Sequence, residues 1–134
     1  TATSTEIADI ERALGVKFSD RHTRALIDSS DPIHEACDFL VVSSPHELLR
    51  ILEVNHDLHC SDNPDPWPSH LVAFASNGCG DYFALRLHGS GHYSILYVDP
   101  DRTVEENLSS EDQSLKFATF DEWYFHKIAE HKAL

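Results

Sequence analysis

Apolar positions keep helical spacing through the first part of the chain and change to a strand pattern after residue 70. Near the start, Thr3-x-x-Glu6 has the form of a capping box with Thr3 as N-cap. Ile7, Ile10 and Leu14 then fall on one helical face, and Gly15 is a stop. A second helix is predicted after Ser19, carrying Ala25, Leu26 and Ile27 and ended by residues 28–32, DSSDP. Residues 36–42, ACDFLVV, are a candidate strand. Ser44-Pro45-x-Glu47 predicts another helix start, with Leu48, Leu49, Ile51 and Leu52 as its buried side. Residues 55–70, NHDLHCSDNPDPWPSH, hold three prolines and no periodicity, and are predicted to be a loop.

The alternating half follows. HLVAFA, residues 70–75, is apolar on both faces, as a central strand is. In DYFALRL, residues 81–87, Phe83, Leu85 and Leu87 point one way and Tyr82, Ala84 and Arg86 the other. Gly89-Ser90-Gly91 makes a turn into HYSILYV, which Asp99-Pro100-Asp101 closes. Residues 102–114 are polar and acidic, and LKFA at 115–118 is a short last strand. Thr119-x-x-Glu122 is a second capping box, opening a helix with Phe120, Trp123, Tyr124 and Ile128 at core spacing. Helices, then strands, then a helix predict an α+β fold: a mostly antiparallel sheet with N-terminal helices and a C-terminal helix around it. Residues 1–134 fit one domain.

Asn77-Gly78 between two alternating runs is a strong hairpin signal. Gly78 and Gly80 adopt positive φ without a Cβ clash, so Asn77, Gly78 and Gly80 are assigned to a structural turn. A glycine-rich anion cradle is the competing reading. The stretch lacks the spacing and lysine of a P-loop, and no helix follows it.

At these residues the chain resembles the SUKH superfamily, and within it the Smi/Knr family of cell-wall regulators and immunity proteins. The resemblance rests on Ile10-Glu11 and Leu14-Gly15 in the first helix. It rests further on the Gly78-Cys79-Gly80-Asp81 turn, the acidic turn Asp99-Pro100-Asp101, and the aromatic-rich helix from Phe120. Two features depart from the family pattern: Ser19 stands where a proline usually opens the second helix, and SSDPIHEACD replaces a glycine-rich segment. The resemblance implies an antiparallel sheet with flanking helices and no enzymatic activity. It also implies a role either as an immunity protein that neutralises a toxin, often a nuclease, or as a signalling scaffold.

Charge narrows the partner. The formal net charge is −13, from 10 basic and 23 acidic residues. Nucleic-acid binding is not expected, because phosphate contacts need a basic footprint. A basic protein would be drawn in by long-range attraction. Full protonation of the 10 histidines would move the charge towards −3, so a steered complex is expected to weaken as imidazoles titrate. No apolar run has membrane-spanning length, so no membrane partner is expected. The N-terminal stretch has no signal-peptide pattern. Three cysteines cannot all pair within one chain, and are expected to be reduced thiols in a cytoplasmic protein. The oligomeric state stays open.

Among candidate sites, His56-x-x-His59-Cys60 carries zinc-compatible ligands, with Asp57 and Asp62 near and His46 or His70 as a further donor. No second ligand pair completes a standard site, so no metal and no cofactor are expected, and a small metal-dependent enzyme using this loop stands as the further alternative to a binding protein or scaffold. Cys79 lacks a Cys-His signature, so no catalytic residue is assigned. Asp99, Asp101, Glu105 and Glu106, with Glu111 and Asp112, form an acidic segment. It reads as a solvated face or as a phosphate mimic that fills a nuclease's basic cleft. Together with Trp67, Asp81 and Tyr97, the first four are the expected partner-binding residues.

Overall fold

The structure is a computed structural model and describes residues 2–112 and 116–134. Among these, six helices and a five-stranded sheet form an α+β architecture. The helices are α1 (Ser4–Leu14), α2 (Asp20–Ile27), α3 (Ile33–Ala36), α4 (Ile51–His59), α5 (Val104–Ser109) and α6 (Phe120–Lys132). The strands β1 (Asp38–Phe39), β2 (Leu71–Ser76), β3 (Tyr82–Gly89), β4 (His92–Val98) and β5 (Lys116–Phe117) lie side by side in chain order. Every neighbouring pair is antiparallel.

Local signals set several element ends as expected. Thr3 and Glu6 complete their capping box, and Gly15 ends α1 in the left-handed region at φ 69°. Ser19 caps α2 by accepting from the His22 N–H. β2 is buried along its whole length, as its unbroken apolar run requires. Thr119 caps α6, but Glu122 accepts from the Ala118 N–H rather than closing a box with Thr119. Of the expected last strand, Leu115 lies outside the described residues.

Three expectations are corrected. The helix expected from Ser44 does not begin there. Ser44 Oγ accepts from the His46 N–H, residues 47–49 form a single 3-10 turn, and Arg50 is extended. The cause is non-local. Val41 N–H donates to Leu49 O at 2.8 Å, and Ile51 N–H donates to Val41 O at 2.9 Å. This pairing holds Arg50 extended between Leu49 and Ile51, so α4 starts only at Ile51 and takes its phase from there. Ile51, Val54 and Asn55 are buried, whereas Leu48 is 78% exposed and Leu52 is also exposed. Second, α4 runs through His59, so the loop begins at Cys60, not at Asn55. Third, of the strand expected over 36–42 only Asp38 and Phe39 form a strand in the sheet, and the unpredicted α3 ends just before it. The acidic segment, read in sequence only as polar and acidic, contains α5, opened by a capping box of Thr103 and Glu106.

The core is aromatic. Trp123 and Phe120 of α6 meet Phe74 of β2, with Trp123 edge-on to Phe74 at 4.7 Å between centroids. Phe83 and Phe39 complete the cluster. His22 stands inside it with no exposed surface, stacked on Phe120 at 4.4 Å. Neither of its ring nitrogens has a hydrogen-bond partner. Burial lowers the His22 pKa from 6.5 to about 3, so the ring is neutral.

A candidate protein-binding surface

The β2–β3 turn is built around one carboxylate. Asp81 is 2% exposed. Its Oδ1 accepts from the Asn77 N–H at 3.1 Å, the Cys79 N–H at 3.3 Å and the Ser76 hydroxyl at 3.2 Å. Its Oδ2 accepts from the Tyr97 hydroxyl at 2.9 Å. Burial alone would raise the Asp81 pKa, but these four donors outweigh it and hold the carboxyl below its usual range. Tyr97 responds in the opposite sense. Burial, and then the Asp81 carboxylate, raise its phenol to about 12. Gly78 and Gly80 take φ values of 94° and 77°, while Asn77 keeps a negative φ. A Cβ on Gly78 would also lie 3.3 Å from Asp38 Oδ2. The turn is therefore held from inside, with the Asp81 carboxylate doing the work that a backbone ladder does in the strands.

Beyond Tyr97 the chain enters the acidic segment. Asn107, 3% exposed, organises it. Its amide oxygen accepts from the Asp99 N–H at 2.9 Å, and its amide nitrogen donates to Asp99 O at 3.0 Å and Thr103 O at 2.9 Å. Asp65, from the loop after α4, accepts from the Val104 N–H at 2.8 Å and joins the start of α5. Asp101, Glu105 and Glu106 are exposed, and Asp99 is half-buried. Hydrogen bonds from Thr103 hold the Glu106 carboxyl below its usual range. Among the charged residues on this stretch, Arg102 is the cation.

The structure therefore brings Tyr97, Asp99, Asp101, Glu105 and Glu106 onto one end of the sheet. Asp81 is adjacent but points inward. Trp67 is set apart and buried, packing edge-on against Tyr82 at 5.8 Å and His59 at 6.3 Å.

The histidine-rich stretch acts on the backbone. Asn55 and His59 are one turn apart on α4, facing the side of β2 away from β3. Asn55 donates to Ala73 O at 2.9 Å and accepts from the Ala73 N–H at 2.8 Å. His59 places one ring nitrogen 2.7 Å from Leu71 O and the other 2.8 Å from Asn55 O. Four helical residues advance about 6 Å, and two strand residues about 6.6 Å. The two side chains thus match alternate residues of β2 and stand in for a neighbouring strand where β1 does not reach. With both nitrogens of His59 against carbonyl oxygens, neither presents a lone pair to a metal. His56 is exposed beside Asp57. Among the described residues, no three His, Cys, Asp or Glu side chains gather as metal ligands would.

All three cysteines are free. Cys79 is exposed on the turn. Burial raises the Cys37 thiol to about 12. Iodoacetamide at neutral pH should therefore modify Cys79 while leaving Cys37 protected until denaturant is added. Peptide mapping after a short pulse checks this, and equal modification of the two would contradict the placement.

Three positioning residues escaped the sequence reading: Asn55, Asn107 and Lys127. Lys127 is 6% exposed, and its ammonium donates to Asn77 Oδ1 at 2.5 Å and Glu130 Oε1 at 3.0 Å, tying α6 to the β2–β3 turn. A signal existed for two of them. Asn55 lies four residues after Ile51, and Lys127 four after Trp123, so both hold core positions of their helices.

An α+β domain with a five-stranded antiparallel sheet and an acidic, hydrogen-bonded surface at one end defines the class. One family model, the SMI1 / KNR4 family (SUKH-1), matches residues 1–125, and the chain belongs to that family. No curated protein and no solved structure matches it. Membership fits a non-catalytic role in immunity or in cell-wall regulation. Among the described residues, no helix is long and apolar enough to cross a membrane.

Proposed function

We propose that this chain is a non-catalytic, cytoplasmic immunity-type binding protein that neutralises a cognate toxin by covering its working surface. Residues 1–134 act as one SUKH-like domain. Family membership over residues 1–125 is the observation that carries the reading. The net charge of −13 and the exposed carboxylates of Asp101, Glu105 and Glu106 support a basic partner, such as the substrate cleft of a nuclease. Tyr97 and Asp99, both half-buried, would add contacts to this surface, in keeping with the weight that tyrosine carries at interfaces.

Capture from a lysate of the source organism tests this directly. Tagged protein, washed at low salt and eluted with a salt gradient, should release a basic toxin. Reversing Asp101, Glu105 and Glu106 to lysine together should slow its association by about tenfold or more while leaving the fold intact. Wild-type association should slow similarly between low and high salt. It should also slow from neutral pH to pH 5.5. His22 is sealed in the core, so full protonation of the other histidines brings the formal charge to −4, one short of the limit set by all 10. Recovery of a cell-wall or signalling enzyme instead would favour the regulatory role. An association rate indifferent to salt, pH and charge reversal would sink the acidic surface as the docking face.

A further inference from the structure

A cavity of about 240 Å³ opens between α6, the β2–β3 turn and strands β3 to β5. Phe83, Tyr97 and Phe117 give it aromatic walls, and Lys127 and Glu130 bring opposite charges to it. Phe83 and Tyr97 pack against each other at 5.2 Å between centroids. The Tyr97 hydroxyl is committed to Asp81, so Tyr97 offers the cavity its ring and not its oxygen.

The charged pair keeps bonding capacity in reserve. Lys127 is buried, and its ammonium carries three donors. One goes to Asn77 Oδ1 and one to Glu130 Oε1. The third has no acceptor among the described residues, and the ammonium lies 5.2 Å from the centre of the Phe83 ring. Glu130 is exposed, and the bond from Lys127 holds its carboxyl below the usual range, so it is an ionised acceptor. Its Oε2 lies 3.6 Å from His126 Nε2, beyond hydrogen-bond distance. One N–H and one carboxylate oxygen thus stand uncommitted at the same aromatic cavity. A group that satisfies both must donate and accept from one place. Carboxylates only accept, while ammonium, guanidinium and indole groups only donate. An imidazole separates its donor from its acceptor by the width of the ring. Amides and aliphatic hydroxyls do both but bring no ring to the aromatic walls. A phenol does both from one oxygen and carries the ring as well.

We propose that this cavity receives a tyrosine side chain of the partner protein. The ring lies against Phe117 and Tyr97, and the hydroxyl donates to Glu130 Oε2 while accepting from Lys127. Such a volume holds one side chain and not a folded element. Its place in the fold argues for a protein as the source. Tyr97 is a wall of the cavity and also leads into the acidic residues of the docking face, so the two are continuous. A tyrosine flanked by basic residues would use both, and tyrosine is among the side chains that dominate interfaces. The inference rests on the reading of that face and names the anchor it takes.

The test is an amide NMR titration of the full chain with N-acetyl-tyrosinamide. Saturable shifts are expected at Phe117, Lys127 and Glu130. N-acetyl-phenylalaninamide, which lacks only the hydroxyl, should bind about fivefold more weakly. Glu130→Ala should bring the tyrosine probe down to the level of the phenylalanine probe and leave the latter unchanged. Loss of both probes in that variant would mean that Glu130 shapes the cavity and accepts no hydroxyl, and would overturn the proposal. So would equal binding of the two probes to the wild-type chain, shifts confined to other residues, or an absence of saturation. A third probe separates a partner's tyrosine from a free phenolic molecule. A blocked Lys-Tyr-Lys tripeptide should bind at least about fivefold more tightly than N-acetyl-tyrosinamide at low salt, and should lose that gain at high salt. A tripeptide that binds no more tightly would assign the cavity to a free phenolic molecule and overturn the protein source. Failure of the immunity reading leaves a different trace: lysate capture yields a regulatory enzyme in place of a toxin, with the probe results unchanged.

Discussion

Acidification from pH 6.5 to pH 4 should destabilise the fold by about 3 kcal/mol through His22 alone. The imidazole is fully buried between Phe18, Phe39, Phe74 and Phe120, and its pKa falls from 6.5 to about 3. Below pH 6.5 the unfolded chain takes up a proton at this position and the native chain does not. Protons therefore favour the unfolded state, by about 1.4 kcal/mol for each pH unit, until the native pKa is reached. This is a large share of the 5–15 kcal/mol or so that holds a typical domain together. The measurement is the urea midpoint and slope from pH 7.5 to 4, for the wild-type chain and for His22→Phe. The phenyl ring keeps the stack on Phe120 and cannot titrate, so the gap between the two profiles should widen steadily below pH 6.5. Any packing offset from the larger ring is constant with pH and drops out of the comparison. Parallel profiles would mean that His22 is hydrated or protonated in the native state.

Replacing Asp81 by alanine should cost about 2–4 kcal/mol, an unusual amount for a turn residue. The substitution removes four hydrogen bonds at once. It leaves the Tyr97 and Ser76 hydroxyls facing a space without an acceptor. Asp81→Asn keeps one acceptor oxygen and should cost less than half as much. Tyr97 supplies an independent readout. Its phenol is raised to about 12 by burial and then by Asp81, so in Asp81→Asn it should titrate closer to 10 when followed by ultraviolet absorbance. The pH window differs from that of His22. The Asp81 carboxyl is lowered on folding, so its contribution is complete above the unfolded value of 3.8 and is lost as pH falls through the native value. Acid unfolding should thus proceed in two ranges, the His22 loss starting below pH 6.5 and the Asp81 loss only below 3.8. An Asp81→Ala midpoint within experimental error of wild type would remove this carboxylate from the account of the turn. Loss of the turn should also weaken partner binding, because Tyr97 is held in place by the same bond.

The two predictions bear on function from different sides. His22 sits under the sheet and touches no candidate surface, so its titration should change stability without changing affinity at a fixed folded concentration. Asp81 lies beneath the proposed face, so its removal should change both. A pH-dependent affinity measured above about pH 7.5, where His22 is largely neutral folded or unfolded, therefore reports surface charge and not unfolding.

Much of the architecture was legible from residues near one another in sequence. Capping at Thr3, Ser19 and Thr119 depends on contacts three residues apart, and Gly15 acts through its own backbone. The unbroken apolar run of residues 71–76 and the alternation of residues 82–87 and 92–98 depend only on which side chains face the core. The hairpin at Asn77-Gly78 was legible for the same reason. The acidic segment, too, was a matter of composition. Other features could not be read that way. The start of α4 was decided by Val41, ten residues upstream of Ile51, because its backbone groups needed partners and took them from residues 49 and 51. The histidine-rich stretch resembled a ligand cluster, since His56, His59 and Cys60 have the right chemistry at close spacing. Only the tertiary structure turns His59 and Asn55 onto Leu71 and Ala73, where an unpaired strand edge needed donors and acceptors. Asp81 carries its negative charge in sequence as any exposed acid does; folding places it under a turn, where four donors close around it. The sequence by itself determined the type and core faces of α1, α2, α6 and the strands β2 to β4, and the sign of the surface. The tertiary structure alone decided which polar side chains act inward, because a buried backbone group recruits the nearest suitable side chain in space, whatever its distance along the chain.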